Sequence, residues 1–204
     1  MPIRYKPFGP LGTNCYLVDV PEGTVIVDPG MDAEAWVVKE AKDPLAILNT
    51  HGHFDHVWSN HRLQERLSIP LYIRQEDSFM LQNDPLMRQT PQSHADVEIT
   101  DDHPVTVGGM AFRFYPVPGH SPGSALIEGE GFLLSGDFIF KGSIGRFDFP
   151  FSDATRMRRS LEWFLERAAD KAWPEDTPVY PGHGGPTTVG SAVRELGQIL
   201  AYYF

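Results

Sequence analysis

The sequence contains a single cysteine, Cys15, so no internal disulfide forms and stability rests on packing. No apolar run approaches the roughly 20 residues that cross a bilayer. The opening Met1-Pro2-Ile3-Arg4-Tyr5-Lys6 lacks the apolar centre of a secretory signal. Basic residues are in deficit, 17 Lys+Arg against 27 Asp+Glu, and the net charge of −10 opposes binding to nucleic acid or to anionic membranes. There are no internal repeats, low-complexity stretches or linkers. These absences, with a length that suits one domain over residues 1–204, predict a soluble cytoplasmic protein. Cys15 lies in the apolar segment Cys15-Tyr16-Leu17-Val18 and is expected to be a packed strand residue, not a reactive thiol.

The sequence is rich in chemistry at Thr50-His51-Gly52-His53-Phe54-Asp55-His56, directly after the apolar run Leu45-Ala46-Ile47-Leu48. Imidazole nitrogen and carboxylate oxygen are donors that zinc, iron and manganese accept, and a loop at a strand end can turn several of them onto one point. The helical H-E-x-x-H zinc motif is excluded by the spacing: His51 and His53 share a side only in extended chain. Further donors follow hydrophobic strands that end in Gly/Pro-rich turns: His120 after Val117-Pro118-Gly119, Asp137 after Ser135-Gly136, and His183 after Pro181-Gly182. His61, His94 and His103 lack such a context and are expected at the surface.

The hydrophobic periodicity predicts strands over 2–8, 13–20, 24–28 and 45–49, with a helix capped by Asp32 between the last two and closing a β-α-β unit. A helix begins at His56 and runs to Leu67, a strand follows at 71–73, and residues 75–96 form short helices lying over the site as a flap. A second sheet of hairpins is expected from strands over 105–107, 110–117, 124–128 and 132–135. A helix over 151–170 capped by Ser152 or Asp153, a strand at 178–180 and a helix from Thr188 to Tyr202 complete the chain.

Taken in order, Val27-Asp28-Pro29-Gly30, the H-x-H-x-D-H stretch at 51–56, Gly119-His120-Ser121-Pro122-Gly123-Ser124, Ser135-Gly136-Asp137 and Pro181-Gly182-His183-Gly184 resemble the motifs of the metallo-β-lactamase superfamily. The resemblance implies the α/β class: a four-layer αβ/βα sandwich of two mixed sheets flanked by helices, with metal between the sheet edges. Carried over by position, His51, His53 and His120 hold one metal, Asp55, His56 and His183 a second, and Asp137 bridges them. Asp28 stands behind these ligands and orients one histidine, as such carboxylates do.

Gly142-Ser143-Ile144-Gly145-Arg146 with Asp148 looks like the compact glyoxalase II-like hydrolases, a group associated with thioester hydrolysis of hydroxyacylglutathiones. The cofactors implied are two divalent metal ions, zinc first and iron or manganese as alternatives. The implied substrate is a thioester or related ester, with a glutathione conjugate one candidate. The C-terminal helical domain that supplies glutathione contacts in classical glyoxalase II has no counterpart in the residues after His183. Lys141 and Arg146 either receive a substrate carboxylate or are ordinary loop cations.

Hydrolysis is expected through a metal-bridging hydroxide, since two metals lower the pKa of a shared water to about 7. Asp55 and Asp137 are the carboxylates expected to act in it, Asp55 as a proton acceptor. Two rival readings stand beside it: a persulfide dioxygenase with one iron on His51, His120 and Asp137, and a non-catalytic metal-binding module. An Asp55 turned away from the other donors would favour the dioxygenase.

Overall fold

A computed structural model describes residues 3–204 of the chain. Its first half alternates strand and helix: β1 (Ile3–Phe8), β2 (Thr13–Val20), β3 (Gly23–Val27), α1 (Glu34–Glu40), β4 (Pro44–Leu48), α2 (Phe54–Val57), α3 (Asn60–Leu67), β5 (Leu71–Arg74), α4 (Gln75–Ser78), α5 (Met80–Asn83) and β6 (Val97–Ile99). Its second half comprises β7 (Val105–Val107), β8 (Met110–Pro116), β9 (Ala125–Gly129), β10 (Phe132–Gly136), β11 (Ile139–Phe140), β12 (Ser143–Ile144), α6 (Ala154–Ala169), β13 (Pro178–Pro181), β14 (Thr187–Thr188) and α7 (Val189–Tyr203).

Six strands make one sheet in the order β1-β2-β3-β4-β5-β6, and six make another in the order β14-β13-β10-β9-β8-β7. The first sheet is antiparallel from β1 to β3 and parallel from β3 to β6. Strand alternation sorts the apolar side chains into layers. In β2, Tyr16, Val18 and Val20 face the other sheet and meet Phe112, Phe114 and Ile127, while Cys15 and Leu17 face Val37 and Leu63 on the helical side. On the far side, Leu126, Leu133 and Val179 pack against Met157, Leu161 and Phe164 of α6 and Leu196 of α7. The result is the expected αβ/βα sandwich. β2 is apolar on both faces because both are covered, and Cys15 is fully buried within it.

Two local expectations are corrected. Asp32 does not cap α1: Ala33 holds the cap position without a side-chain bond, and Asp32 sits in a left-handed turn at φ +67°. The helix after the histidine motif begins at Phe54, before His56, and breaks at Ser59. There the amide nitrogen donates to Pro29 O at 2.9 Å and the hydroxyl to Gly30 O at 2.6 Å, so the chain is pulled toward the Asp28 turn. The expected hairpins β7-β8-β9-β10 form, each pair antiparallel, and β13 joins their edge parallel to β10. The short strands β6, β11, β12 and β14 lie outside the expected set: β6 has no Pro or Gly beside it, unlike the equally short β7 between Pro104 and Gly108, and the others are only two residues long. By contrast, Asp153 caps α6, accepting from Arg156 N at 2.9 Å.

Among the described residues no helix is long and apolar enough to cross a membrane.

Candidate metal centre

The donors come from strand ends. β3 ends before Asp28, β4 before His51 and β13 before His183; β10 leads into Asp137, and the turn after β8 carries His120. Open α/β sheets bind ligands at such ends, since the loops leave the sheet together there. Glycine permits the approach at two of them. A Cβ on Gly182 would lie 2.2 Å from Asp137 Oδ1, and one on Gly145 would lie 1.8 Å from the Asp137 carbonyl oxygen.

All the ligands expected from the sequence converge. His51, His53 and His120 form one group, and Asp55, His56 and His183 another, each with donor atoms within 4.8 Å of one another. Asp137 lies between them: its Oδ2 is 3.3 Å from His120 Nε2 and 3.4 Å from His183 Nε2, and its Oδ1 is 3.2 Å from His56 Nε2. Asp55 turns inward, with Oδ2 3.4 Å from His56 Nε2 and 3.3 Å from His183 Nε2, held by a 2.7 Å bond from the Thr13 hydroxyl.

Buried polar atoms test whether metal fits. His51 Nε2, His53 Nε2, His56 Nε2 and Asp137 Oδ1 are buried and make no hydrogen bond within the protein. Such atoms are costly unless something outside the chain satisfies them, and a mixed nitrogen and carboxylate set suits zinc, iron or manganese. The other ring nitrogens are engaged, which fixes how the imidazoles turn: His56 Nδ1 with Asp28 Oδ2 at 3.0 Å, His120 Nδ1 with Arg146 O at 2.7 Å and His183 Nδ1 with Leu11 O at 3.1 Å. Asp28 also accepts from Thr50 N at 2.8 Å and from the Thr50 hydroxyl at 2.6 Å, tying β3 to the start of the motif.

The electrostatics separate the two groups. Burial, followed by repulsion from His56, His53 and His120, holds His51 well below the ordinary histidine range. Burial, then His120, lowers His53 to about 3. Burial also opposes charge on Asp55 and Asp137, but His56 and His183 outweigh it, lowering Asp55 to about 2 and Asp137 well below the usual carboxylate range. Burial likewise works against His183, but its bonds to Asp137 and Asp55 raise it to about 9. His51 and His53 are thus held neutral. Burial works against His56 too, but Asp55, Asp137 and Asp28 outweigh it and raise His56 well above the ordinary range, so a cation taken by the second group would displace protons from its imidazoles.

Asp77 escaped the sequence reading. It is fully buried, and its carboxylate accepts from Gly52 N at 2.8 Å, the Ser121 hydroxyl at 2.6 Å and Gly123 N at 2.6 Å. Written as Gln75-Glu76-Asp77, it reads as an acid in a helix first turn. Within the expected flap, α4 and α5 pack inward against Gly52 through Asp77 and Met80, while Leu86 reaches the site.

Over the donors lies a cleft of about 330 Å³, walled by Leu11, Phe54, Leu86, Phe140, Ile144 and Phe149. Arg146 lines it, whereas Lys141 lies exposed in the β11–β12 turn and is not part of the lining. His61, His94 and His103 stand at the surface beside Glu65, Asp96 and Asp101.

This sandwich with its paired donor groups at the sheet edges defines a metal-dependent hydrolase-type centre. The family model described as "Metallo-beta-lactamase superfamily" matches residues 8–183, and the chain belongs to that superfamily. It is 31% identical to a probable metallo-hydrolase of Bacillus subtilis, YqgX, over 91% of this chain and 92% of that one. It is 29% identical to the hydroxyacylglutathione hydrolase GloC of Haemophilus influenzae, over 95% and 96%. Two crystal structures share the fold closely: BLEG-1, a B3 metallo-beta-lactamase, with TM-score 0.83 and 36% identity over 93% of this chain and 95% of that one, and TTHA1623 in a di-iron-bound form, with TM-score 0.81 and 33% identity over 94% and 98%.

Proposed function

We propose that this protein hydrolyses a thioester or related ester with the help of two divalent metal ions. The observation that carries the reading is the inward turn of Asp55, which completes a second donor group with His56 and His183 beside the His51, His53 and His120 group. A centre for one iron would need only His51, His120 and Asp137. Similarity to GloC supports the thioester, and similarity to YqgX supports hydrolysis in general. The nitrogen and carboxylate donors suit zinc, iron and manganese, and TTHA1623 has been crystallised with two irons.

His51, His53 and His120 would hold one ion and Asp55, His56 and His183 the other, with Asp137 shared. Bound there, the ions would acidify a water and polarise the substrate carbonyl. The protein's own part is orientation. Thr13 fixes Asp55, Asp28 fixes His56, and the backbone carbonyls of Arg146 and Leu11 fix His120 and His183. Asp55 faces the cleft and is the carboxylate placed to take a proton from the attacking water, although its low pKa makes it a weak base. Phe149 and Phe140 stand edge-on to the donor imidazoles and limit solvent access.

Metal analysis with an assay panel of thioesters, lactones, a β-lactam, phosphodiesters and glutathione persulfide tests the proposal. Two metals per chain with thioester or ester cleavage that His53→Ala abolishes is the expected result. One iron per chain with oxygen uptake on the persulfide would overturn it.

A further inference from the structure

The walls of the cleft point to a substrate class, an inference that rests on the hydrolase reading above. Apart from the donor residues and Arg146, the lining is apolar: Leu11, Phe54, Leu86, Phe140, Ile144 and Phe149. The aromatic walls lie directly against the reaction centre. The Phe149 ring is 5.7 Å from His53 and 5.9 Å from His120, and Phe140 is 5.9 Å from His183, so an aromatic ring flanks each donor group. A carbonyl placed at the donors therefore has its substituents against hydrocarbon.

A charged substrate arm finds little to hold it. Arg146 is the one Arg or Lys among the described residues that lines the cleft, and its guanidinium is committed. Its Nε and Nη2 each donate to Asp148 at 2.8 Å, a two-point pairing, and it lies 4.3 Å from the centre of the Phe149 ring. That exposed pair leaves only Nη1 without a partner, so a substrate carboxylate would have to compete with Asp148 for the two-point edge of the guanidinium. Lys141 stays outside, and the net charge of −10 opposes an anionic substrate at long range. The volume of about 330 Å³ holds roughly ten water-sized groups, enough for a short acyl or aryl arm.

We propose that the enzyme selects thioesters or esters bearing a neutral apolar arm, a short acyl chain or an aryl group, over conjugates of the anionic tripeptide glutathione. The arm belongs either to the acyl side or to the leaving group, and two substrate series separate these cases.

The metal-loaded protein is assayed with acetyl, butanoyl, hexanoyl and benzoyl thioesters of neutral N-acetylcysteamine, with acetyl thioesters of ethyl, hexyl and phenyl thiols, and with S-lactoylglutathione. In one series kcat/KM should rise about 10- to 100-fold from the smallest to the larger arm, mostly through KM. S-lactoylglutathione should fall below the best member. Leu86→Ala and Ile144→Ala should flatten the rising series, lowering the larger arm's value more than the acetyl value. Both series flat, or S-lactoylglutathione the best substrate, would overturn the inference while leaving hydrolysis intact. If nothing is cleaved the hydrolase reading fails, and binding still decides the cleft: uncleavable S-hexyl-N-acetylcysteamine should bind at least about tenfold tighter than its S-ethyl analogue by calorimetry. Equal binding would overturn the inference.

Discussion

The carboxylate of Asp77 accepts a 2.6 Å hydrogen bond from the hydroxyl of Ser121, 44 positions further along the chain. It also takes Gly123 N and Gly52 N, so one buried side chain joins the turn that carries His120 to the loop that carries His51 and His53. Asp77→Asn keeps the shape but sets an amide against these donors. We expect divalent metal affinity to fall about 10- to 100-fold and unfolding free energy to drop by about 1–3 kcal/mol, with Ser121→Ala milder on both counts. Chelator competition and urea denaturation measure the two. Unchanged metal affinity in a destabilised variant would mean that Asp77 serves folding alone.

Asp28 holds His56 directly at 3.0 Å and reaches His51 only through the Thr50 hydroxyl, which donates to Asp28 at 2.6 Å and lies 3.1 Å from His51 Nδ1. Asp28→Ala should therefore weaken the Asp55, His56 and His183 group first. Metal titration is expected to show stoichiometry falling toward one per chain, with the His51, His53 and His120 group still filled. Equal loss from both groups would show that Asp28 supports the whole centre.

Gly182→Ala tests the close approach between β13 and β10. The added Cβ would stand 2.2 Å from Asp137 Oδ1 and 2.6 Å from His56 Cε1. Either the carboxylate or the imidazole must move, so hydrolysis should fall at least about 10²-fold, as misplacement of a reacting group by about 1 Å does. A circular dichroism spectrum should remain native, because Gly182 lies past the strand.

Chelation should destabilise the folded protein, since the buried Nε2 atoms of His51, His53 and His56 make no hydrogen bond within the chain. With free metal at about 100 times its dissociation constant, binding adds about 2.7 kcal/mol. Thermal denaturation with and without EDTA, then with zinc, iron or manganese restored, should show a lower Tm on removal and recovery on addition. A Tm indifferent to all of these would argue against a metal at this position.

Cys15 should be inert. It is completely buried, and burial, reinforced by Asp28, pushes its thiol pKa well above the ordinary value. A raised pKa means less thiolate at any given pH, and thiolate is the reactive form. Ellman's reagent at pH 8 should label the native protein far more slowly than the urea-unfolded chain. Comparable rates would show that β2 opens readily.

The long elements could be read before the structure because each carries its own signal. β2 and β4 are apolar runs between turns, and α6 and α7 repeat apolar residues at helical spacing. The ligand residues were legible for a related reason: each follows a hydrophobic strand and a tight turn, a context that local sequence states in full. Where two local signals competed, the reading failed. Asp32 has a capping side chain but sits in a left-handed turn, and Ser59 interrupts a helical pattern because its amide and hydroxyl find the Asp28 turn.

By itself, then, the sequence determined most of the strand and helix pattern and set candidate donors just past strand ends, properties of segments a few residues long, while the αβ/βα layering and the division of the donors followed from the resemblance of its ordered motifs to a family. Tertiary structure alone decided that Asp55 turns inward, that Asp77 joins two ligand loops, that Lys141 lies outside the cleft and that Arg146 is already paired with Asp148. Each of these depends on which side chains from distant segments meet in a space that excludes water. Pairing between segments is set by packing of the whole sandwich, which local spacing does not encode.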